Sequence, residues 1–513
     1  MAYLMEVLPN KGLNTSAPAE FISSGTIPEV LNMQVVRNIV QKIYGTKLFQ
    51  DADIAAADKE IMAVCEFKRE EVNYLLRIGR KKVQRYNSNS KVWIDATGAI
   101  DLTGSVDNVI SYAVAFDIDG LPVLVFTNGI DAIKVYDTAA AKIKDLGGTT
   151  NKAKYICAFG AYLILANINN GVTWLGNQIL WSDTGNIEEW ADGNTGGQML
   201  IDENNDEEIT GIGTFGQYLA VHKEKSIYLG ALVSSSDVFS FEKTATGVGT
   251  CCHNTIRTLN TGGQIFLAKD GLRLFNGTSA PLIDSPMQED IRASLNPEKY
   301  HRCWSIVVPE SDEYWVGIPL GNDEGPYTVY KYNYVLGTIF KDQRIGVNCA
   351  GYFTSDNSVM IQDINIPMND ANFPFDNLKL LALHKKVVFG RVDGKTTIID
   401  STVNDDVDSV IPTVFETRDY YTDSAKLARW IKLTVWAKGD SLTLNCSLDK
   451  GLTWESGQTI KLDPEFPKPT SPKVFYFDYV SDTIRFKFSN SSKGEKWALK
   501  QYQIEVLGRE EIK

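Results

Sequence analysis

The feature that most constrains this chain is a unit that returns four times: "FGAYLILANINNG" from Phe159, "FGQYLAVHKEKSIYLG" from Phe215, "TGGQIFLAKDGLRLFNG" from Thr261 and "HKKVVFGRVDGKTTIID" from His384. Each copy has a small or turn-prone start, an apolar strand, a tight polar turn and a second strand bearing an aromatic or branched residue. The first three starts are 56 and 46 residues apart, close to the roughly 40–50 residues of a four-stranded propeller blade. A 123-residue gap precedes the fourth start and has room for two more blades. In it, "RCWSIVVPESDEYWVGIPL" and "YTVYKYNYVLGTIF" form one pair of hairpins, and "CAGYFTSDNSVMIQD" begins another. A lone four-stranded sheet leaves both faces and both edges uncovered, whereas blades packed around an axis bury their faces against one another. Repetition at this period therefore predicts a propeller.

The intervening text agrees. "YAVAFDIDGLPVLVFTNGIDAIKVYD" (residues 112–137) reads as three strands broken at Asp119-Gly120 and Asn128-Gly129, both strong hairpin signals. In "QILWSDTGNIEEWADGNTGGQMLIDENNDEEITGI" (residues 178–212), "QILWSD" reads as the end of one blade, the acidic turn-rich part as a connector, and Ile209 as the start of the next blade. Helix is sparse. Its best candidate is "DSPMQEDIRASLNP" (residues 284–297), with an acidic first turn and a Pro stop. Residues 402–414 are acidic and turn-rich and mark a boundary. Beyond it, strictly alternating segments on either side of a Pro-rich break at 464–472 predict a β-sandwich of about a hundred residues. The expected fold is all-β: an N-terminal arm (1–60), a β-propeller with blade number left open (61–405) and a C-terminal β-sandwich (406–513).

Composition narrows the function classes. The 51 Lys and Arg stand against 64 Asp and Glu, a formal charge of -13, which excludes a protein whose affinity comes from a broad phosphate-neutralising surface. The seven Cys (65, 157, 251, 252, 303, 349, 446) are odd in number and scattered, with no paired CxxC elements. Neither a disulfide framework nor a zinc site is expected, and the adjacent Cys251 and Cys252 read as buried thiols in a reducing compartment. The N-terminus carries Glu6 where a signal peptide would be apolar, so synthesis in a cytoplasm is expected, with no membrane-spanning segment.

Local motifs carry little chemistry. Asp202, Asn204 and Asp206 alternate as in a calcium loop, but Glu207 stands where the turn Gly is needed and Gly213 where the bidentate Glu belongs. "GRVDGKT" (390–396) has too short a Gly–Gly spacing for a phosphate loop and reads as a hairpin turning at Asp393-Gly394. "SLDKGLTW" (447–454) fits the pattern S-x-D-x-G-x-T-W, a structural hairpin in which the carboxylate accepts bonds from its own turn. The four His (222, 253, 301, 384) are isolated in sequence, with no HExxH and no GxSxG. No catalytic, cofactor-binding or metal-binding residue is assigned, and a non-enzyme is expected. One dense basic segment, "RIGRKKVQRY", reads as a hairpin turning at Ile78-Gly79. It would gather Arg77, Arg80, Lys81, Lys82 and Arg85 into a contact for nucleic acid or an acidic neighbouring subunit.

Four segments, "LPNKGLNTSAPAEFISSGTIPEVLNMQVVRNIVQKIYGTKLF", "QILWSDTGNIEEW", "GQYLAVHKEKSIYLG" and "GGQIFLAKDGLRLFNG", resemble the corresponding elements of tail-tube, nozzle or hub proteins of short-tailed bacteriophages, including the packaged-DNA stabilisation group. The resemblance spans most of residues 7–340. It implies a structural virion protein, made in the bacterial cytoplasm and placed in the phage tail as a homo-oligomeric ring, commonly six-fold. Its implied partners are its own copies, portal and adaptor proteins, tail fibres or a tail needle, and the viral DNA that the ring retains and later lets pass. It implies no catalytic residue and no cofactor. The alternative is a glycan-binding or glycan-cleaving receptor-recognition propeller, which aromatic and carboxylate residues at one propeller mouth would favour.

Overall fold

Asp-Gly and Asn-Gly pairs turn the chain where the sequence places them. In the computed structural model, which describes residues 2–36, 38–49, 58–190, 195–202, 207–233, 238–283, 288–354, 385–407, 409–421, 427–467 and 472–507, Gly120 and Gly129 take φ of 72° and 74°, a region glycine enters without a Cβ penalty. They lie between the strands Ser111–Phe116, Pro122–Thr127 and Lys134–Asp137, and Lys142–Asp145 completes a four-stranded antiparallel sheet. This sheet is blade two of a propeller.

Seven such sheets follow one another. Their innermost strands are Ile61–Arg69, Ser111–Phe116, Lys152–Phe159, Ile209–Phe215, Arg257–Thr258, Trp304–Val308 and Val347–Thr354. Neighbouring blades pack through these strands, except that Ile61–Arg69 meets blade two at Pro122–Thr127, and the seventh packs on the first, so the ring is closed. Blade five keeps three strands, and a bridge from Leu282 to Arg273 lies on its outer edge. Blade seven takes its outer strand from far upstream: Gly45–Leu48 pairs antiparallel with Thr396–Asp400. A Cβ on Gly45 would sit 2.3 Å from the Asp405 carbonyl oxygen, so only glycine lets the strand lie this close.

The sandwich has two six-stranded sheets. One runs Met33–Val36, Ile39–Lys42, Trp497–Leu507, Ala428–Gly439, Lys473–Ser481, with Ala2–Val7 also paired to Trp497–Leu507. The other runs Glu29–Leu31, Thr413–Glu416, Thr483–Asn490, Ser441–Ser447, Gln458–Lys461, with Tyr420–Tyr421 also on Thr483–Asn490. Thr483–Asn490 and Trp497–Leu507 bury alternate residues, as period-two patterning requires when one face meets the core. Trp430, Trp497, Phe486, Phe488 and Tyr502 fill that core, and it runs on without interruption into Leu267, Tyr314, Tyr330 and Ile339 of blades five and six. The Leu13 N–H donates to the Ile339 carbonyl (2.8 Å) and the Asn32 N–H to that of Lys341 (2.9 Å). These bonds cover the outer strand of blade six, Thr338–Gln343, which would otherwise be an open edge.

Several expectations change in detail. The N-terminal stretch is not a free arm. Four of its strands belong to the sandwich sheets and a fifth closes the propeller, because unpaired edges of both units are satisfied by it. Consequently the propeller draws on residues before 61 and the sandwich on residues before 406. "QILWSD" does not end its blade: Trp174–Trp181 is a third strand, and Gly197–Leu200, inside the expected connector, is the fourth. The gap before the fourth repeat holds one whole blade and the first strand of another. Among the described residues α-helix is confined to Gln288–Ser294, beside three single turns of 3-10 helix, with 284–287 outside the described residues. Gln458–Lys461 and Lys473–Ser481, on either side of the break at 464–472, lie in different sandwich sheets.

Candidate functional site

One mouth of the propeller is formed by the connections that lead into the inner strands. Three of them meet across the axis. Ser111 opens the inner strand of blade two, and its Oγ accepts the Ile156 N–H at 2.9 Å. The His253 Nε2 lies 2.9 Å from the same oxygen, and the His253 Nδ1 accepts the Ile212 N–H at 3.3 Å. Since Nδ1 accepts, Nε2 carries the proton and donates to Ser111. Burial, helped by Arg257 and His222, lowers the His253 pKa to about 3, so the ring is neutral. The Asn254 Nδ2 donates to the Ile110 carbonyl at 3.2 Å. Asp107 accepts from the Lys299 Nζ at 3.1 Å and faces the His301 Nε2 at 3.3 Å. Burial alone would raise the Asp107 carboxyl, but Lys299 and His301 outweigh it and the net shift is downward. These contacts tie the entrance of blade two to the entrances of blades five and six, on the far side of a seven-membered ring. They close this mouth with cross-struts.

Beside the struts lies a cavity of about 430 Å³, within the range of small-molecule sites. Its walls include Asn128 and Ile130 from a blade-two turn, Lys154 and Tyr155 from the inner strand of blade three, His253, His301 and Trp174. Trp174 is 44 % exposed. The Lys154 Nζ stands 5.3 Å from the Trp174 ring centroid and 3.2 Å from the Glu208 Oε2, which also accepts the Asn167 Nδ2 at 3.1 Å. Burial works to raise the Glu208 carboxyl, yet Asn167 and Lys154 prevail and hold it below its usual range. Tyr155 packs against His253 with the rings tilted by 35° and their centroids 4.9 Å apart, and burial pushes its hydroxyl pKa up. The arrangement offers an aromatic platform, paired charges and neutral donors.

The five cations of the basic segment lie elsewhere. None of them lines this cavity. The turn falls at 80–82, later than Ile78-Gly79, with the Gly79 N–H donating to the Lys82 carbonyl at 2.8 Å. Arg77 is not a surface contact: it is fully buried. Its Nε donates to the Gln84 Oε1 (2.8 Å), its Nη1 donates to the Thr396 Oγ1 (3.1 Å) in blade seven, and its guanidinium lies 4.3 Å from the Trp93 centroid. Arg80 bridges to Asp58 and Glu60, Lys81 to Asp58 and Lys82 to Asp95. Arg85 lies 5.9 Å from the Tyr74 centroid. Internal carboxylates and rings thus take up a segment whose charge density suggested an external partner.

Among the described residues no three His, Cys, Asp or Glu side chains are placed to hold a metal ion. In the acidic stretch, Asn204 and Asp206 lie outside the described residues, while Asp202 accepts from the Tyr228 hydroxyl (2.7 Å) and the Lys243 Nζ (3.0 Å). All seven cysteines are free thiols. Cys251 and Cys252 are buried, and burial pushes the Cys252 thiol up to about 12. The hairpin 447–454 is built as its motif requires: Asp449 accepts from the Ser447 Oγ (2.8 Å) and the Thr453 N–H (2.8 Å). Sequence reasoning missed Asp107, Trp174, His253 and His301 as neighbours, since only the closure of the ring brings them together.

No family model and no curated protein matches the chain. Among solved structures it is similar to the extracellular domain of a hybrid two-component system from B. thetaiotaomicron, at 11% identity and a TM-score of 0.40 over 74% of this chain and 47% of that one. It therefore spans about half the length of that domain. An exo-beta-1,3-galactanase from Phanerochaete chrysosporium, solved with galactose, is 11% identical with a TM-score of 0.29, covering 90% of this chain and 100% of the other. The Neurospora crassa Pan2 WD40 domain is 8% identical with a TM-score of 0.35, covering 70% and 94%. The propeller assignment rests on the sheet order above.

Proposed function

We propose that this protein is a structural subunit of a short-tailed phage tail, forming a homo-oligomeric ring below the portal and adaptor that retains packaged DNA and conducts it on ejection. The observation that carries this reading is how the two units are joined. Strands from residues 2–48 lie in both sandwich sheets and in blade seven, and one apolar core runs from the sandwich into blades five and six. Such a shared core makes a stiff wedge, which is what a ring under pressure from a packed genome needs.

The residues behind the resemblance have fold-building roles. The Trp181 Nε1 donates to the Thr195 carbonyl, the Asp183 Oδ1 accepts from the Thr184 N–H and Thr195 N–H, and the Trp190 Nε1 donates to the Ile187 carbonyl. A signature made of turn supports suits a protein that works by shape and performs no chemistry. In this reading the cross-struts obstruct the propeller axis, so a conduit for DNA would run between subunits. Its lumen can be acidic, because a wall that does not bind phosphates lets the strand slide. Lys81 and Lys82, 52% and 43% exposed, remain able to touch an acidic neighbour. Negative-stain imaging of the purified protein tests this: closed rings support it, and a protein that stays monomeric at every concentration tried refutes it.

A second reading, glycan recognition, is favoured by one observation. Trp174 stands exposed beside Lys154 and Glu208, at the mouth that also holds Asp107.

A further inference from the structure

The cavity beside the cross-struts has a wall whose chemistry selects a ligand. Three properties of its wall matter. The first is the Trp174 face, held by Lys154 across its ring and still 44 % exposed, which offers a flat apolar surface to a partner that is itself flat and partly apolar. The second is charge balance. Each charged side chain in the wall already faces its opposite: Lys154 faces Glu208, and Asp107 faces Lys299. An anionic or cationic ligand would find no unneutralised opposite charge here and would lie beside a like charge, whereas a neutral one would not. The third is polarity without charge. The neutral His253 and the Asn254, Asn128 and Asn108 amides surround a space of about 430 Å³, large enough for one or two sugar rings.

From these we infer that the cavity binds a neutral saccharide, one sugar ring lying on Trp174 and its hydroxyls meeting Lys154, Glu208 and the strut residues Asp107 and His301. A sugar ring fits the wall because its C–H face is apolar and its rim is a ring of hydroxyls that both donate and accept. Paired groups such as Lys154 and Glu208 can bind such hydroxyls without breaking their own bridge, since each retains further donor or acceptor capacity. The inference deepens the glycan-recognition reading and rests on it; ring formation is independent of it.

The test is calorimetric titration of the full chain with four neutral tetrasaccharides (β1,4-glucose, α1,4-glucose, β1,4-N-acetylglucosamine and β1,3-galactose linked) and one acidic tetramer of galacturonate. At least one neutral sugar should bind, and Trp174→Ala should weaken it about tenfold, the equivalent of roughly 1.4 kcal/mol. Because Trp174 is exposed, the variant should keep the parent's unfolding midpoint, and Trp174→Phe, retaining a ring, should recover part of the affinity. Binding of a neutral sugar that Trp174→Ala leaves unchanged overturns the site while leaving glycan recognition standing. Preference for the acidic tetramer overturns the neutral class. Absence of binding to all five overturns both the site and the reading beneath it.

Discussion

Replacing Arg77 by Met separates a buried brace from a nucleic-acid contact. The guanidinium has no exposed surface, and it connects blade one to blade seven at the seam where the ring closes. Met keeps an unbranched stem over Trp93 but removes the bonds to the Gln84 Oε1, the Thr396 Oγ1 and the Gly394 carbonyl. Hydrogen bonds from a charged donor contribute about 1.5–3 kcal/mol each. Part of that is offset because the buried guanidinium no longer has to be stripped of water. The net cost should be about 2–4 kcal/mol. For a chain of 513 residues the unfolding entropy is roughly 1 kcal/mol/K, so the melting midpoint should fall by about 2–4 °C. Thermal unfolding followed by tryptophan fluorescence reads this, with Lys81→Ala as a surface control expected within about 0.5 kcal/mol of the parent. An Arg77→Met protein that melts with the parent would refute the brace.

Other perturbations probe separate joints. Gly148→Ala would put a Cβ 1.6 Å from the Glu188 carbonyl oxygen at a φ of 72°, so the connection into blade three must shift; a loss above about 3 kcal/mol in denaturant unfolding is expected. Asn32→Ala removes the acceptor of the Gln343 N–H (2.7 Å) and the donor to the Pro412 carbonyl (2.7 Å) at a buried residue that joins blade six to the sandwich, and should cost about 2–4 kcal/mol by the same measurement. His222 and His253 have folded pKa values of about 4 and about 3, both lowered mainly by burial from 6.5. The unfolded chain therefore takes up their protons first, and stability should fall as pH drops from 6.5 towards 4, by about 1.4 kcal/mol per unit for each His. His222→Gln should make that slope shallower by about one proton, whatever it does to stability at neutral pH.

The sequence periodicity made the blades legible because strand, turn and strand are local. Asp119-Gly120, Asn128-Gly129 and Asp393-Gly394 turn where the dipeptides say, and Ile209 begins a blade as its apolar run predicts. What stayed hidden is non-local. Nothing near Gly45–Leu48 announces that its partner is Thr396–Asp400, and the strands of residues 2–42 look like an arm until the sandwich sheets need them. The same limit applies to sites. "RIGRKKVQRY" shows five cations in sequence, but the carboxylates that pair with Arg80, Lys81 and Lys82 (Asp58, Glu60 and Asp95) and the groups that take up Arg77 and Arg85 are neighbours only after folding. Conversely, His253 and His301 sit 48 residues apart and share one cavity because both lie in connections that enter adjacent blades.

The proposed tail role is tested most directly by electron cryomicroscopy of phage particles made with and without this protein. A ring of copies around the tail axis, with each propeller axis displaced from the central duct and the sandwich fixed rigidly to blades five and six, is the predicted result. Density that threads DNA through the propeller axis itself, or a tail with no such ring, would contradict it.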